Sequence, residues 1–294
     1  MSFKWRLPIF GQKERPPDDL EVEAMDRAQQ SRRSFLRALG TAGAAAATAA
    51  TGCSGGAWED FFRQHYHRLD DEDRRALLSR LEDQARERYG VNARIDDPQA
   101  IPGVEYAYAL SLTACTGCRQ CEYACAEENN TSRSPQMHYI RIVELDVGSF
   151  DLDESEHGYE GRVPADGKVY MPVSCQQCAN PPCVQACPVK ADGITVIDYD
   201  WCIGCRYCEA ACPYGARHFN FAAPRVRPSE INPDQGYLSN RVRPQGVVEK
   251  CHFCLHRVRR GELPACQEAC PVGARVFGNL LDPASPVRRI LEDK

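Results

Sequence analysis

Long hydrophobic runs are missing from this 294-residue sequence, and that absence sets the first bound. Charged residues make up 26% of it and the mean hydropathy is −0.49, values of a globular chain rather than a membrane-spanning one. The uncharged stretch Ala38 to Gly52 is mostly alanine, glycine and threonine, too short and too weakly apolar for a stable transmembrane helix. Also missing are a glycine-rich dinucleotide fingerprint, a C-x-x-C-H haem attachment site and a nucleophile elbow, so the chemistries those motifs carry belong elsewhere. Positive charge is in deficit. Residues 1–52 carry eight Lys/Arg and six Asp/Glu, which leaves the remainder at −7 against −5 for the whole. Such a balance offers no basic face to a phosphate backbone and argues against a nucleic-acid partner.

What the sequence has in excess is cysteine. Of seventeen, sixteen fall into four groups: Cys115, Cys118, Cys121, Cys125; Cys175, Cys178, Cys183, Cys187; Cys202, Cys205, Cys208, Cys212; and Cys251, Cys254, Cys266, Cys270. Four thiolates satisfy a [4Fe–4S] cubane, so each group could hold one. The first and third read C-x2-C-x2-C-x3-C, the bacterial ferredoxin run, in which the fourth cysteine ligates the other cluster of a pair. Pro188, Pro213 and Pro271 follow the last cysteine of three groups, where a fixed φ suits a chain leaving a cluster extended. Ala126 takes that place in the first group. Structural zinc is the competing metal, but zinc sites rarely use a third closely spaced thiol, and all four groups end in C-x3-C. Eight disulfides at C-x2-C spacing would make an odd scaffold. Because bound metal contributes folding free energy, the apo chain is expected to fold poorly.

The N-terminus carries a second signal. Ser31-Arg32-Arg33-Ser34-Phe35-Leu36-Arg37 is a twin-arginine motif, and Ala38 to Gly52 follows it as a signal h-region. Clusters assembled in the cytoplasm require export of a folded protein, which is what the twin-arginine route performs. Cys53, the unpaired cysteine, sits in Ala50-Thr51-Gly52-Cys53-Ser54, a sequence like a lipoprotein cleavage box with Ala50 in place of leucine. Two readings stand for it: a lipidation site that tethers the mature protein, or an incidental thiol.

Trp58 to Arg68 and Asp70 to Tyr89 carry apolar residues near helical spacing, with Asp70 or Asp71 as N-cap and Gly90 as a stop. This segment either packs on the body or forms an arm for a partner. Strands are expected over Tyr106 to Leu112 and Gly193 to Asp198, and short helices over Arg119 to Ala126 and Arg206 to Ala211. The inserts 126–174 and 213–250, rich in Asp, Gly and Pro, read as loops. Arg119, Arg206, His252, His256 and Arg257 stand beside cysteines and are candidates for tuning redox potentials.

Three phrases carry a family resemblance: C-Q-Q-C-A-N-P-P-C-V-Q-A-C-P at 175–188, D-W-C-I-G-C-R-Y-C-E-A-A-C-P-Y-G-A-R at 200–217, and C-H-F-C at 251–254. Over residues 105–282 the sequence resembles the four-cluster iron–sulfur subunits of the dimethyl sulfoxide and polysulfide reductase type. It is also similar to the exported ferredoxin-like subunits of periplasmic hydrogenases and of the sulfite-reduction-associated membrane complex. The resemblance implies an α+β fold: a duplicated bacterial-ferredoxin-like domain with long loop insertions, preceded by a short helical arm. The implied segments are a signal at 1–52, an arm at 53–104, the double ferredoxin-like domain at 105–282 and a tail at 283–294. It also implies crossed ligation of four [4Fe–4S] clusters. One takes Cys115, Cys118, Cys121 and Cys270; its neighbour takes Cys125, Cys251, Cys254 and Cys266. In the other half, Cys175, Cys178, Cys183 and Cys212 hold one cluster, and Cys187, Cys202, Cys205 and Cys208 the last. The stretch 188–201 is shorter than in many relatives.

The function so implied is electron relay, without catalysis in this protein. One partner would be a polysulfide-reductase-type integral membrane subunit that handles quinone, the other a molybdenum catalytic subunit or a c-type cytochrome. The place of action would be the periplasmic side of the inner membrane. A free exported ferredoxin is the rival within redox biology, and a zinc-stabilised interaction protein the rival outside it.

Overall fold

The computed structural model describes residues 70–149, 151, 155–188 and 196–292. The twin-arginine motif, Cys53, the expected helix at 58–68 and the first half of the expected strand at 193–198 lie outside them.

Helix α1, Asp71–Tyr89, follows directly from its ends. The Asp70 carboxylate accepts from the amides of Glu72 and Asp73 at 2.8 Å each, a cap worth about 1 kcal/mol. Acidic residues fill the first turn and Arg86 and Arg88 the last, each sign matched to the helix dipole. Gly90 then takes φ 67° and returns its amide to the Arg86 carbonyl. The inner face buries Leu81 and Ala85 against Ala93 and Ile95, with Leu77, Leu78 and Tyr237 at the margin. Strand β1, Arg94–Asp96, continues the connection by pairing in parallel with β6, Asp234–Gly236. So this segment packs on the body; the helix belongs to the same core as Tyr237.

Strand β2, Tyr106–Leu110, runs antiparallel to β8, Arg275–Asn279, which sets Leu110 opposite Arg275 beside the first cysteine group. Helix α2, Gln120–Glu128, carries Cys121 and Cys125. The insert expected as a loop at 126–174 instead contains a seven-residue antiparallel pairing of β3, Ile140–Asp146, with β4, Lys168–Ser174, a hairpin. Ile140, Ile142 and Tyr170 bury one face against Cys121 and Cys125, so the hairpin is a lid over the cysteine-bearing helix. Its turn chemistry and charged outer residues obscure that alternation in the sequence. Helices α3, Pro182–Gln185, and α4, Tyr207–Ala210, pack together, as α2 packs on α6, Ala265–Glu268. The second insert is likewise structured: β5, His218–Phe219, pairs with β7, Val248–Glu249, ahead of α5, Leu255–Val258.

One further expectation is corrected: residues 196–198 are not strand. The C-terminal tail carries α7, Pro286–Glu292, whose Val287 is fully buried against β8. Gly278 makes that approach close: a Cβ there would stand 2.4 Å from Ser285 Oγ.

Candidate metal centres

The cysteine runs are shaped by backbone that ordinary residues avoid. Gly117 and Gly204, each just before the second cysteine of its run, take φ 72° and 71°. Both are also crowded: a Cβ would lie 2.3 Å from the Tyr170 ring at Gly117 and 2.2 Å from the Gly246 carbonyl oxygen at Gly204. Arg119 and Arg206, just after that cysteine, hold φ 57° and 63°, a left-handed conformation that costs a non-glycine residue roughly 1–2 kcal/mol. The turn this makes curls the first three thiols inward and launches α2 or α4.

Among the described residues sixteen free thiols result, and they gather by fours around four cavities. The first cavity is lined by Cys115, Cys118, Cys121 and Cys270, and the second by Cys125, Cys251, Cys254 and Cys266. A third has Cys175, Cys178, Cys183 and Cys212. The fourth has Cys187, Cys202, Cys205 and Cys208, with Cys183 also on its wall. In each case the last thiol of a group stands in the cavity of a different group. Burial pushes Cys121, Cys125, Cys251 and Cys254 above the ordinary thiol value, and Cys266 up to about 11. Thiols so disfavoured as anions need bound positive charge to become thiolates, which is the condition an iron–sulfur cluster meets. The donor set therefore fits [4Fe–4S] clusters.

Comparison with known proteins agrees. A family model for a 4Fe-4S binding domain matches residues 195–218, and two for 4Fe-4S dicluster domains match 114–191 and 237–280. The "Hdr-like menaquinol oxidoreductase iron-sulfur subunit 1" of Archaeoglobus fulgidus is 39% identical over 64% of this sequence and 76% of its own length. The "Menaquinone reductase, iron-sulfur cluster-binding subunit" of Nitratidesulfovibrio vulgaris is 34% identical, covering 65% and 82%. The B subunit of the anaerobic dimethyl sulfoxide reductase of Escherichia coli is 34% identical, covering 59% and 73%. The protein belongs to this family of reductase-complex iron–sulfur subunits. As such it is an electron-transfer subunit that binds [4Fe–4S] clusters, not a catalytic one.

Electrostatics in this iron–sulfur subunit are organised by buried cations. Arg275 lines both the first and second cavities, and Arg217 both the third and fourth. Each closes the same phrase, C-P-x-G-A-R, at 212–217 and 270–275. Burial works against the charge on Arg275, yet Tyr108, Cys121 and Cys266 outweigh it and hold the guanidinium protonated. Arg217 is held likewise by Cys183 and Cys208. Lys250 is buried, and burial holds its ammonium below the ordinary lysine value although Cys175 and Cys251 act in the other direction. It donates to the Cys251 carbonyl at 2.5 Å and to Gln177 Oε1 at 3.4 Å. Neutral donors reach sulfur directly. Asn129 Nδ2 lies 3.5 Å from Cys125 Sγ and 3.7 Å from Cys254 Sγ, and the Val248 amide 3.5 Å from Cys202 Sγ.

Of the residues singled out from sequence, Arg119 lines the first cavity, His252 the second and Arg206 the fourth. Arg119 stacks over Tyr159 at 3.8 Å and Arg206 sits over Phe219 and Phe221. His256 and Arg257 bind the Glu128 carboxylate at 2.6 and 3.0 Å, joining α5 to the end of α2. Buried His252 is kept well below the ordinary imidazole value by burial and by Arg243, and its Nδ1 accepts from the Leu255 amide at 3.3 Å. Adjacency to a cysteine finds Arg119, His252 and Arg206 on cavity walls; the doubled C-P-x-G-A-R phrase is the signal that finds Arg217 and Arg275.

Proposed function

We propose that the sixteen thiols hold four [4Fe–4S] clusters by crossed ligation and that the protein relays single electrons across a respiratory oxidoreductase complex. The observation that carries this is the sharing of cavities: Cys270 stands with Cys115, Cys118 and Cys121, and Cys212 with Cys175, Cys178 and Cys183. When bound, each cluster supplies a one-electron carrier. The protein's own part is to bury Cys121, Cys125, Cys183, Cys208 and Cys254, to fix a positive charge at Arg275 and Arg217, and to point amide donors at sulfur. Arg275 lines both cavities of the first pair and Arg217 both of the second, and Lys250 interacts with Cys251 and Cys175, one thiol from each pair, which supports an order of carriers running from one pair to the other. The repeated phrase and the matching helix pairs, α2 with α6 and α3 with α4, support a duplicated ferredoxin-like architecture.

Relatives named as menaquinone and menaquinol oxidoreductase subunits support a quinone-handling membrane partner at one end. The dimethyl sulfoxide reductase relative supports a catalytic partner at the other, which in this reading is a molybdenum subunit, with a c-type cytochrome as the alternative. Cys205 is an exposed thiol, flanked by exposed Trp201, Ile203 and Tyr207, and this end is suited to a partner's approach. No helix among the described residues is long and apolar enough to cross a membrane. The twin-arginine motif at 31–37 supports action on the exported face, and Cys53 a lipid tether there.

Cys270→Ala tests the ligand map. Its expected effect is loss of the cluster held by Cys115, Cys118 and Cys121, seen by electron paramagnetic resonance, with iron falling from about sixteen atoms per protein. Loss confined to the cluster of Cys251, Cys254 and Cys266 would refute crossed ligation. For export, a reporter fused after residue 52 should cross the membrane, and should stop doing so when Arg32 and Arg33 become lysine.

A further inference from the structure

Beneath the β3–β4 hairpin, and outside the lining of the four thiol cavities, three side chains converge. We propose that Glu122, His138 and His157 form a mononuclear site for a divalent cation of the zinc class. Glu122 comes from α2, His138 from the stretch entering β3, and His157 from the segment between β3 and β4. Their ligand atoms all lie within 4.8 Å of one another.

The orientation of the rings makes the case. His157 Nδ1 is 3.1 Å from the Ile142 carbonyl oxygen, which can only accept, so the proton sits on Nδ1. That leaves Nε2 with a bare lone pair, 3.7 Å from Glu122 Oε1. A metal-bound histidine is typically arranged this way, its other nitrogen donating to a carbonyl. His138 Nδ1 stands 2.5 Å from the same Oε1 without the alignment of a hydrogen bond. Glu122 is 4% exposed, and its second oxygen, Oε2, is buried with no hydrogen-bond partner. A buried carboxylate so placed is costly unless a cation joins it. Two imidazole nitrogens and one carboxylate oxygen are a zinc donor set that leaves a fourth position for water. The side chains of His138 and His157, 21% and 36% exposed, leave that position open to solvent. Bound there, the cation would pin the hairpin lid to the helix that carries Cys121 and Cys125.

The test uses the iron-loaded protein, prepared without oxygen, stripped of loose metal on a chelating resin and titrated with zinc alone. Retained zinc and iron are counted together, and the zinc K-edge spectrum reads the donors. The expected result is one zinc per protein with two imidazoles and no sulfur. His138→Ala and His157→Gln should each weaken retention by about tenfold or more while iron content stays unchanged. No retained zinc, equal retention in both variants and wild type, or sulfur in the zinc shell would each overturn the site. Should a variant lose iron through misfolding, the wild-type spectrum alone decides.

Discussion

Replacing Arg275 by methionine removes one charge from the wall shared by the first two thiol cavities and keeps much of the side-chain volume. Arg275 is 3% exposed, so solvent screens it little. A fixed positive charge favours the more negative, reduced state of any cluster beside it. With an effective dielectric of about 20 and a separation of about 7 Å, the interaction is roughly 2.4 kcal/mol. For a one-electron couple that is about 100 mV. Arg275→Met should therefore lower the midpoint potentials of both clusters in the first pair by about that amount and leave the second pair nearly unmoved. Arg275→Lys should restore part of the shift, because it returns the charge without the planar fork. The assay is a redox titration followed by electron paramagnetic resonance, with iron content as the check on folding. A shift below about 20 mV in both clusters, or one confined to the pair beside Arg217, would refute the reasoning.

Two other perturbations follow from the same geometry. Gly204→Ala places a Cβ against the backbone oxygen of Gly246 at 2.2 Å in a left-handed residue, where no flexible side chain can yield. The expected cost is about 2–4 kcal/mol, read as earlier thermal loss of cluster absorbance, and unchanged melting would rule out the crowding. Glu128 is affected by burial, which raises its value, but His256 and Arg257 outweigh it and hold the carboxyl below the ordinary range. Its pairing therefore stabilises the fold above about pH 4.3 and is lost as pH falls through the depressed folded value. Glu128→Gln should be destabilised by roughly 1–3 kcal/mol near neutrality, with the gap to wild type closing in acid. A gap independent of pH would show that the carboxylate's charge is not what matters.

How much of this could be read from the sequence depends on the range of each interaction. The grouping of thiols around one cavity is legible because three thiols brought together by a short turn have a fixed spacing in sequence, as in Cys202, Cys205 and Cys208. Helix α1 is legible for the same reason, since Asp70 and Gly90 act within four residues of its ends. Sharing of a cavity by Cys121 and Cys270 spans most of the domain, and no local pattern in either group specifies it. The hairpin lid was hidden because Ile140 and Ile142 flank the charged Arg141, and Tyr170 sits in a run of apolar residues, inside a stretch rich in turn formers. The tautomer of His157 depends on a carbonyl fifteen residues away, on a strand that reads as loop. Arg217 and Arg275 lie between these extremes. Each is distant from most of the thiols it faces, but the five residues that place it are repeated, and a repeat is visible before its purpose is. That the same phrase sets a buried cation between two cavities in both halves argues that charge at the junction, and not merely ligand count, is built into the fold.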